Sequence, residues 1–394
     1  MTFKRNPTLE RELVARPDDL ELKLVYADWL QQHGDPWGEL IVRQQHVGES
    51  ARPLFIWDDP AGWKHAVRQK PIDNALYAQY SGSLGGDDPA GEPDDELAAE
   101  LRAEILGDQR IRLRWRHGFV DKVFFPQRVS HDLELETALD RLLSHRSSLL
   151  LRELALGAIN WRTGGKWNGR VLHYQPEIEV ILGHGPPCLR RLVLGAWQEH
   201  DVSWTAVGDL GELSGCLPEL TALELQGNDM DFGDVDLPRL RRLVVRSGGL
   251  PEEAIAQLAR ASWPSLEELE LWFGDEDYGG SPSVAVAEPF LDADRLPRLR
   301  RLGLRNAMFT DDLCALLPTA SILPRLIHLD LSMGTMSDQG ARDLLARPQA
   351  FAHLERLDLR DNNISPGLCS DLAALCHDVD TAAQSDRRYV SVGE

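Results

Sequence analysis

Leucines recur along the chain in a fixed nine-residue frame. In residues 354–362 they stand at positions 1, 4 and 6, and an Asn occupies position 9. Positions 4 and 6 follow the two-residue period of a β-strand, so their side chains point to one face and the residues between them to the other. Seven further copies of the frame begin upstream at Leu151, Leu189, Leu220, Leu240, Leu266, Leu299 and Leu326. The pattern predicts one short strand per repeat. Val120, Val123 and Phe125 fit the same frame and predict an additional first strand.

The segments between these strands predict how the repeats stack. A Pro usually stands just before the strand, where it ends the preceding helix and turns the chain into the sheet. Amphipathic stretches predict helices at residues 252–261, 311–317, 338–346 and 366–376. One short strand cannot bury its leucines alone, so we expect a parallel sheet of stacked repeats with capped ends. We place this array at residues 118–377 and a C-terminal capping strand in residues 378–394, at 387–393.

The frame resembles the repeat of the leucine-rich repeat family. Successive starting leucines lie 20 to 38 residues apart, and the longer intervals resemble the ribonuclease-inhibitor-like class of these repeats. The resemblance implies an α/β leucine-rich repeat solenoid, with a curved parallel sheet inside and helices and loops outside. Only Asn228 and Asn362 match the family's position-9 Asn, so we expect its buried hydrogen-bond ladder to be partial.

Residues 1–47 predict a small all-α domain before the array, with helices at 7–15, 20–33 and 37–47. The stretch resembles the repeat-companion domain found at the N-terminus of bacterial repeat proteins, many of them leucine-rich. Tyr26, Asp28 and Trp29 allow two interpretations: a recognition patch, or Tyr26 and Trp29 in the apolar stripe of the second helix with Asp28 as a helix-surface or capping residue. Residues 48–117 predict a connecting segment with an acidic linker at about 82–96.

Charge and cysteine content narrow the choice of partners and location. The chain has 42 basic and 63 acidic side chains, a net charge of −21 at pH 7, which argues against nucleic acid or an anionic membrane as the main partner. A basic protein partner is compatible with this charge. The first 25 residues contain no apolar core stretch, so we expect no signal peptide. Five scattered cysteines are typical of reduced thiols, and we expect a cytoplasmic protein.

No motif in the sequence predicts catalysis. The 12 histidines show no metal-ligand spacing. Gly164-Gly165-Lys166 lacks both the first Gly and the Ser or Thr of a phosphate-binding loop. We therefore expect neither enzymatic activity nor a bound cofactor or metal.

The candidate site residues lie at strand positions that face away from the leucines. An exposed Trp272 between Arg246 and Arg305 predicts a binding patch, because Trp and Arg dominate binding hot spots. Acidic residues at position 5 of the repeats complete the candidate partner-binding set: Glu224, Glu270, Asp330 and Asp358. The other interpretation is a solvated mesh in which Arg pairs with Glu across adjacent strands, with Trp272 under the loop at 275–282.

These observations predict a non-catalytic protein-interaction module that binds a protein partner on the concave face of the sheet. An inhibitor or immunity protein for a basic partner would use the negative charge. The alternative is a structural or regulatory scaffold that recruits a partner through the N-terminal helical domain. The sequence does not specify the oligomeric state.

Overall fold

The computed structural model describes residues 5–46, 112–125, 135–157, 172–195, 202, 205–386 and 389–391. They belong to two compact units, each described here by itself. Unit 1 contains the described residues of Met1–Asn160 and Pro176–Leu192, and unit 2 those of Trp161–Gln175 and Val193–Glu394. The predicted acidic linker and residues 158–171 lie outside the described residues. No helix in the described ranges is both long and apolar enough to cross a membrane.

The helices and strands have the following bounds. The helices are α1 (Pro7–Ala15), α2 (Leu20–Gln32), α3 (Trp37–Arg43), α4 (Leu135–Ser144), α5 (Gln175–His184), α6 (Leu213–Cys216), α7 (Glu252–Arg260), α8 (Thr310–Leu316), α9 (Asp338–Leu345) and α10 (Pro366–Leu372). The strands are β1 (Arg112–Arg116), β2 (Phe119–Phe125), β3 (Glu153–Leu156), β4 (Leu172–His173), β5 (Arg191–Leu194), β6 (Thr205–Asp209), β7 (Ala222–Gln226), β8 (Asn228–Asp231), β9 (Arg242–Arg246), β10 (Glu268–Gly274), β11 (Arg301–Ala307), β12 (His328–Asp330), β13 (Arg356–Asp358) and β14 (Asp378–Asp380). Short 3₁₀ helices lie at Gln44–His46, Arg146–Leu150, Glu276–Tyr278, Val284–Val286, Glu288–Leu291, Leu317–Thr319, Leu323–Arg325 and Pro348–Ala350.

Unit 1 begins with the three predicted helices. Side-chain oxygens cap the first two: Asn6 accepts from the Leu9 amide at 3.2 Å, and Asp19 accepts from the Leu22 amide at 3.0 Å. On α2, Tyr26 is fully buried and Trp29 is half-buried. Tyr26 therefore belongs to the apolar stripe rather than to an exposed recognition patch.

The N-terminal helices pack on the hairpin of β1 and β2, also in unit 1. The Trp37 indole nitrogen donates to the Gly118 carbonyl at 2.7 Å, and the Gln44 side chain accepts from the Gly118 amide at 2.8 Å. A Cβ on Gly118 would stand 2.5 Å from Ile41, so only glycine allows this approach. Arg146 stacks over Trp37 at 4.4 Å and ion-pairs with Asp35. These contacts make the helices a covering element for the first strands.

The repeats of unit 2 build a parallel sheet from β7 and β9 to β14. Equivalent repeat positions are in register: Leu243 lies opposite Leu269, and Leu269 lies opposite Leu302. Side chains at positions 4 and 6 are at most 2% exposed in the repeats of β7 and β9 to β13, whereas Val379 at position 4 of β14 is half-buried. The predicted α/β leucine-rich repeat solenoid is confirmed, and the predicted helices correspond to α7 to α10. The predicted domain boundaries stay predictions.

A second parallel sheet in unit 2 was not predicted. After β7 the chain turns at Gly227, whose φ is 151°, and continues as β8, which pairs with β6, which in turn pairs with β4. Glycine and aspartate make up most of residues 227–236, and this composition predicts turns rather than a strand. Pairing with the neighbouring repeat satisfies their backbone groups and extends the segment.

The last strand of the main sheet is β14, within the predicted capping segment. Of the strand predicted at 387–393, only residues 389–391 are described, and they are not in a strand. Instead the Ser391 amide donates to the Met333 carbonyl at 2.9 Å. This part of the tail contacts the turn that follows β12.

Candidate functional site

The candidate surface is the face of the unit 2 sheet opposite the leucines, which we call the sheet face. It is formed by repeat positions 3, 5 and 7, which alternate with the buried positions 4 and 6. Because the strands are in register, equivalent positions form columns across the sheet. Position 5 contributes Glu224, Val244, Glu270, Gly303, Asp330, Asp358 and Asp380, and position 7 contributes Gln226, Arg246, Trp272, Arg305, Ser332 and Arg360.

Glu270 is the centre of the predicted Arg246–Trp272–Arg305 patch. Its Oε1 accepts from the Trp272 indole nitrogen at 2.8 Å and from Arg305 Nη1 at 3.2 Å, and it lies 3.4 Å from Arg246 Nε. The guanidinium of Arg305 lies 4.8 Å from the Trp272 ring centroid and that of Arg246 lies 5.8 Å from it. Arginines from the two strands that flank β10 thus contact the Trp272 ring from both sides.

Electrostatics keep Glu270 ionised. Burial alone would raise the pKa of its carboxyl, but the positive charges of Arg246, Arg305 and Arg242 outweigh burial and lower that pKa to about 2. At neutral pH the carboxylate is therefore fully charged. It offsets two guanidinium groups whose side chains are only 5% exposed.

The ion pairs extend across the sheet in both directions. Arg246 Nη1 lies 3.8 Å from Glu224, and Arg305 Nε lies 3.4 Å from Asp330. Burial raises the pKa of Asp330, because little water reaches its carboxyl. Towards the C-terminal end, Arg360 pairs with Asp358 at 2.7 Å, and Arg356 bridges Asp378 and Asp380 at 2.8 and 3.1 Å. Each position-7 arginine therefore meets a carboxylate on its own or an adjacent strand.

The structure corrects the expected exposure of this set. Trp272 is 0% exposed, Arg246 and Arg305 are each 4% exposed, and Glu224 and Asp358 are 1% and 2% exposed. Alternation assigns a side chain to a face but does not determine how much water it meets. Neighbouring strands lie about 4.8 Å apart, so long side chains at positions 5 and 7 cover one another. The set is a paired mesh, buried rather than solvated.

The accessible residues of the sheet face lie mainly at position 3. Arg301 is exposed, and the Arg242, Glu268 and Arg356 side chains are 33%, 24% and 22% exposed. Ala222 and His328 are half-buried in the same column. The sequence assigned these residues to the sheet face, but residue type alone favoured Trp272. The sequence feature that could have indicated their accessibility is their position at the start of each strand.

The described residues contain no arrangement of three or more His, Cys, Asp or Glu side chains that could hold a metal ion. All five cysteines are free thiols. Burial strongly raises the pKa of Cys314, which keeps this thiol protonated.

A family model and one solved structure agree with this fold. A family model described as a leucine-rich repeat matches residues 352–367, which include the buried Asn362. A crystal structure of a Bacteroides fragilis protein is 25% identical and has a TM-score of 0.58, covering 65% of this chain and 72% of its own. An internalin of Listeria monocytogenes is 15% identical over 64% of this chain and 71% of its own, with a TM-score of 0.31. No curated protein matches the sequence.

The repeat frame, the registered parallel sheet and the family match at residues 352–367 support a leucine-rich repeat protein. Its resemblance to companion-domain proteins and its bacterial origin stay predictions from the sequence.

Proposed function

We propose that the chain is a non-catalytic protein-interaction module that binds its partner on the sheet face of unit 2. The observation that carries this proposal is the row of accessible position-3 side chains above a buried layer of ion pairs. Side chains fixed on rigid strands lose little conformational entropy when a partner binds, which favours affinity.

The predicted partner-binding residues have a supporting role in this proposal. Arg246, Trp272, Arg305, Glu224, Glu270, Asp330 and Asp358 form the layer that fixes the shape and charge of the surface. Hot-spot residues are often held in place by such desolvated neighbours. The side chains at position 3 then make most of the direct contact with a partner.

The basic partner and the inhibitor or immunity role remain predictions from the net charge. The sheet face contributes little to them, because its six arginines nearly balance its seven carboxylates. The arginines are Arg242, Arg246, Arg301, Arg305, Arg356 and Arg360, and the carboxylates are Glu224, Glu268, Glu270, Asp330, Asp358, Asp378 and Asp380. Attraction of a basic protein would depend on the charge of −21 as a whole and would weaken as salt is raised.

The sheet face is tested by adding bulk where no internal contact is lost. Ala222, half-buried at position 3, is changed to Tyr, and the matched control is Ala256→Tyr at a half-buried alanine of helix α7. Partners captured from a native lysate are identified by mass spectrometry, and the affinity of each is measured by calorimetry. We expect Ala222→Tyr to weaken binding at least about tenfold, or ~1.4 kcal/mol, and Ala256→Tyr to leave it unchanged. Equal affinities for both variants would exclude the sheet face.

The alternative, recruitment through the N-terminal helices, has less support. Tyr26 and Trp37 are used inside unit 1, where they pack on Phe119 at ring distances of 6.5 and 5.0 Å. Val25, 50% exposed on α2, is a single apolar side chain rather than a patch. Capture of the same partner by wild type and by a Val25→Asp variant would argue against this role.

A further inference from the structure

One heptapeptide occurs twice in unit 2, in two different electrostatic environments. Residues 237–243 and 296–302 both read Leu-Pro-Arg-Leu-Arg-Arg-Leu. Both copies lead into a strand of the same parallel sheet, β9 in the first case and β11 in the second. The two copies therefore provide an internal comparison of how the same arginines are used.

In the first copy every arginine has a carboxylate partner. Arg239 pairs with Glu219 of the preceding repeat. Arg241 pairs with Glu267 at 2.8 Å, and Arg242 pairs with Glu268 of the following repeat. The charges of this copy are neutralised by its neighbours.

In the second copy the following repeat does not supply these acids. Register places His328 opposite Arg301, where Glu268 stands opposite Arg242. The residue before His328 is Ile327, so the equivalent of Glu267 is also missing. On the preceding repeat, Glu267 lies beside Arg300 and Glu268 lies opposite Arg301, but their carboxylates are paired with Arg241 and Arg242.

A fourth arginine joins this cluster from the next repeat. Arg325 occupies the frame position of Arg298, one strand further along the sheet. Its Nη1 donates to the Ala293 carbonyl at 2.8 Å, and the Arg300 guanidinium donates to the Arg325 carbonyl at 3.2 Å. These bonds to backbone oxygens fix the position of each side chain without neutralising its charge.

We call Arg298, Arg300, Arg301 and Arg325 the arginine patch. All four are exposed, and none has a carboxylate of the described chain within 4.0 Å. Asp292 and Asp294 precede Arg298 along the chain, and Asp292 lies 3.9 Å from Arg295. A cluster of unneutralised cations is unusual on a chain of net charge −21. Like charges side by side repel, so an anionic ligand would relieve this repulsion.

We propose that the arginine patch binds a short acidic segment of a partner protein. Guanidinium groups match carboxylates in bidentate geometry. An extended segment rises about 3.3 Å per residue, so two or three acidic side chains span the patch. Charges are screened beyond roughly 8 Å at physiological ionic strength, so the distant acidic residues that give the chain its net negative charge act only weakly on a short segment bound at the patch. A long polyanion such as nucleic acid would also meet the surrounding acidic surface, so it is disfavoured.

The inference rests on protein binding as the role of the chain, but it does not require the sheet face to be the main contact. Acidic-peptide binding with no effect of Ala222→Tyr on a captured partner would reject the sheet face and keep the patch. No binding of the acidic peptide, together with weaker binding of a captured partner to the Ala222→Tyr variant, would support the sheet face and reject the patch.

The test compares the two heptapeptides within the full chain. Binding of a fluorescein-labelled peptide rich in Glu and Asp is measured by anisotropy at ~0.15 M salt. The proteins are wild type, Arg298→Gln/Arg300→Gln and the matched control Arg239→Gln/Arg241→Gln. These variants lose the same charge at equivalent exposed positions, and circular dichroism verifies their fold. We expect the first variant to weaken binding by about tenfold and the control to weaken it less than about twofold.

Three outcomes would overturn the proposal. The first is no binding of the acidic peptide to wild type, and the second is equal weakening in both variants, which would indicate non-specific attraction. The third is tighter binding of a single-stranded oligothymidylate than of the peptide, lost in the Arg298→Gln/Arg300→Gln variant. That result would assign the patch to nucleic acid. A peptide with Gln and Asn in place of the acids controls for contacts unrelated to charge.

Discussion

Replacing Glu270 with Gln tests whether the buried mesh of the sheet face is held by charge. The substitution keeps the shape of the side chain and an acceptor oxygen for the Trp272 indole. It removes a negative charge that lies within 3.4 Å of both Arg246 and Arg305. The variant therefore isolates the electrostatic contribution from packing.

The magnitude follows from the pKa of Glu270. Lowering the carboxyl pKa from 4.5 to about 2 corresponds to about 3 kcal/mol at neutral pH, because one pH unit corresponds to about 1.4 kcal/mol. Breaking a buried ion pair by removing one partner costs about 3–5 kcal/mol by mutagenesis. We expect Glu270→Gln to lower the free energy of unfolding by about 3 kcal/mol at pH 7.

The pH dependence has a defined sign. The pKa of Glu270 is lower in the folded state than in the unfolded state, so its stabilisation is complete above pH 4.5 and is lost as pH falls towards 2. At pH 3.5 the difference between wild type and variant should be smaller than at pH 7 by about 1.4 kcal/mol.

Urea unfolding followed by far-ultraviolet circular dichroism at both pH values measures this difference. The matched control is Glu267→Gln, which removes a carboxylate from an ion pair whose two side chains are 39% and 60% exposed. We expect this control to match wild type, because solvent screens such pairs. A Glu270→Gln variant as stable as wild type at pH 7, or a loss that is the same at pH 3.5, would refute the reasoning.

Two further substitutions test the backbone of the repeats. Gly274 has a φ of +74°, and a Cβ there would lie 1.9 Å from the Gly248 carbonyl oxygen, so Gly274→Ala should destabilise by at least about 3 kcal/mol in urea unfolding. Gly367→Ala, with no atom within 4 Å, is its control, and a similar loss in both would contradict the steric explanation. Asn362 is buried and bonds the Met336 amide and three carbonyls, so Asn362→Ala should lower the thermal midpoint through a loss of about 2 kcal/mol. Asn363→Ala should leave the midpoint near that of wild type, and equal shifts would argue against the buried bonds.

The sequence predicted the elements that depend on local pattern. Leucines at positions 4 and 6 identified the strands of unit 2, and residues 7–15 formed a helix with the predicted bounds because Asn6 and Pro7 begin it. The second sheet was missed, because strand β8 contains Asn and Asp and pairs through its backbone alone.

The candidate site was predictable in its layout but not in its exposure. Alternation correctly assigned Arg246, Trp272 and Arg305 to the same face, where the structure brings them around Glu270. It could not show that these side chains cover one another, since that depends on residues 20 to 35 positions away in neighbouring repeats. The residues proposed to contact a partner are accordingly those at position 3 rather than those at positions 5 and 7.

The sequence by itself determined the repeat, its strands and the face to which each side chain points, because these follow from a period of two residues and the need to bury leucine. Only the tertiary structure decided which charges are neutralised. Two identical heptapeptides differ in this respect, since Arg241 and Arg242 meet carboxylates of the next repeat whereas Arg300 and Arg301 do not. Coulomb interactions depend on distances across strands, and those distances exist only after the repeats have stacked.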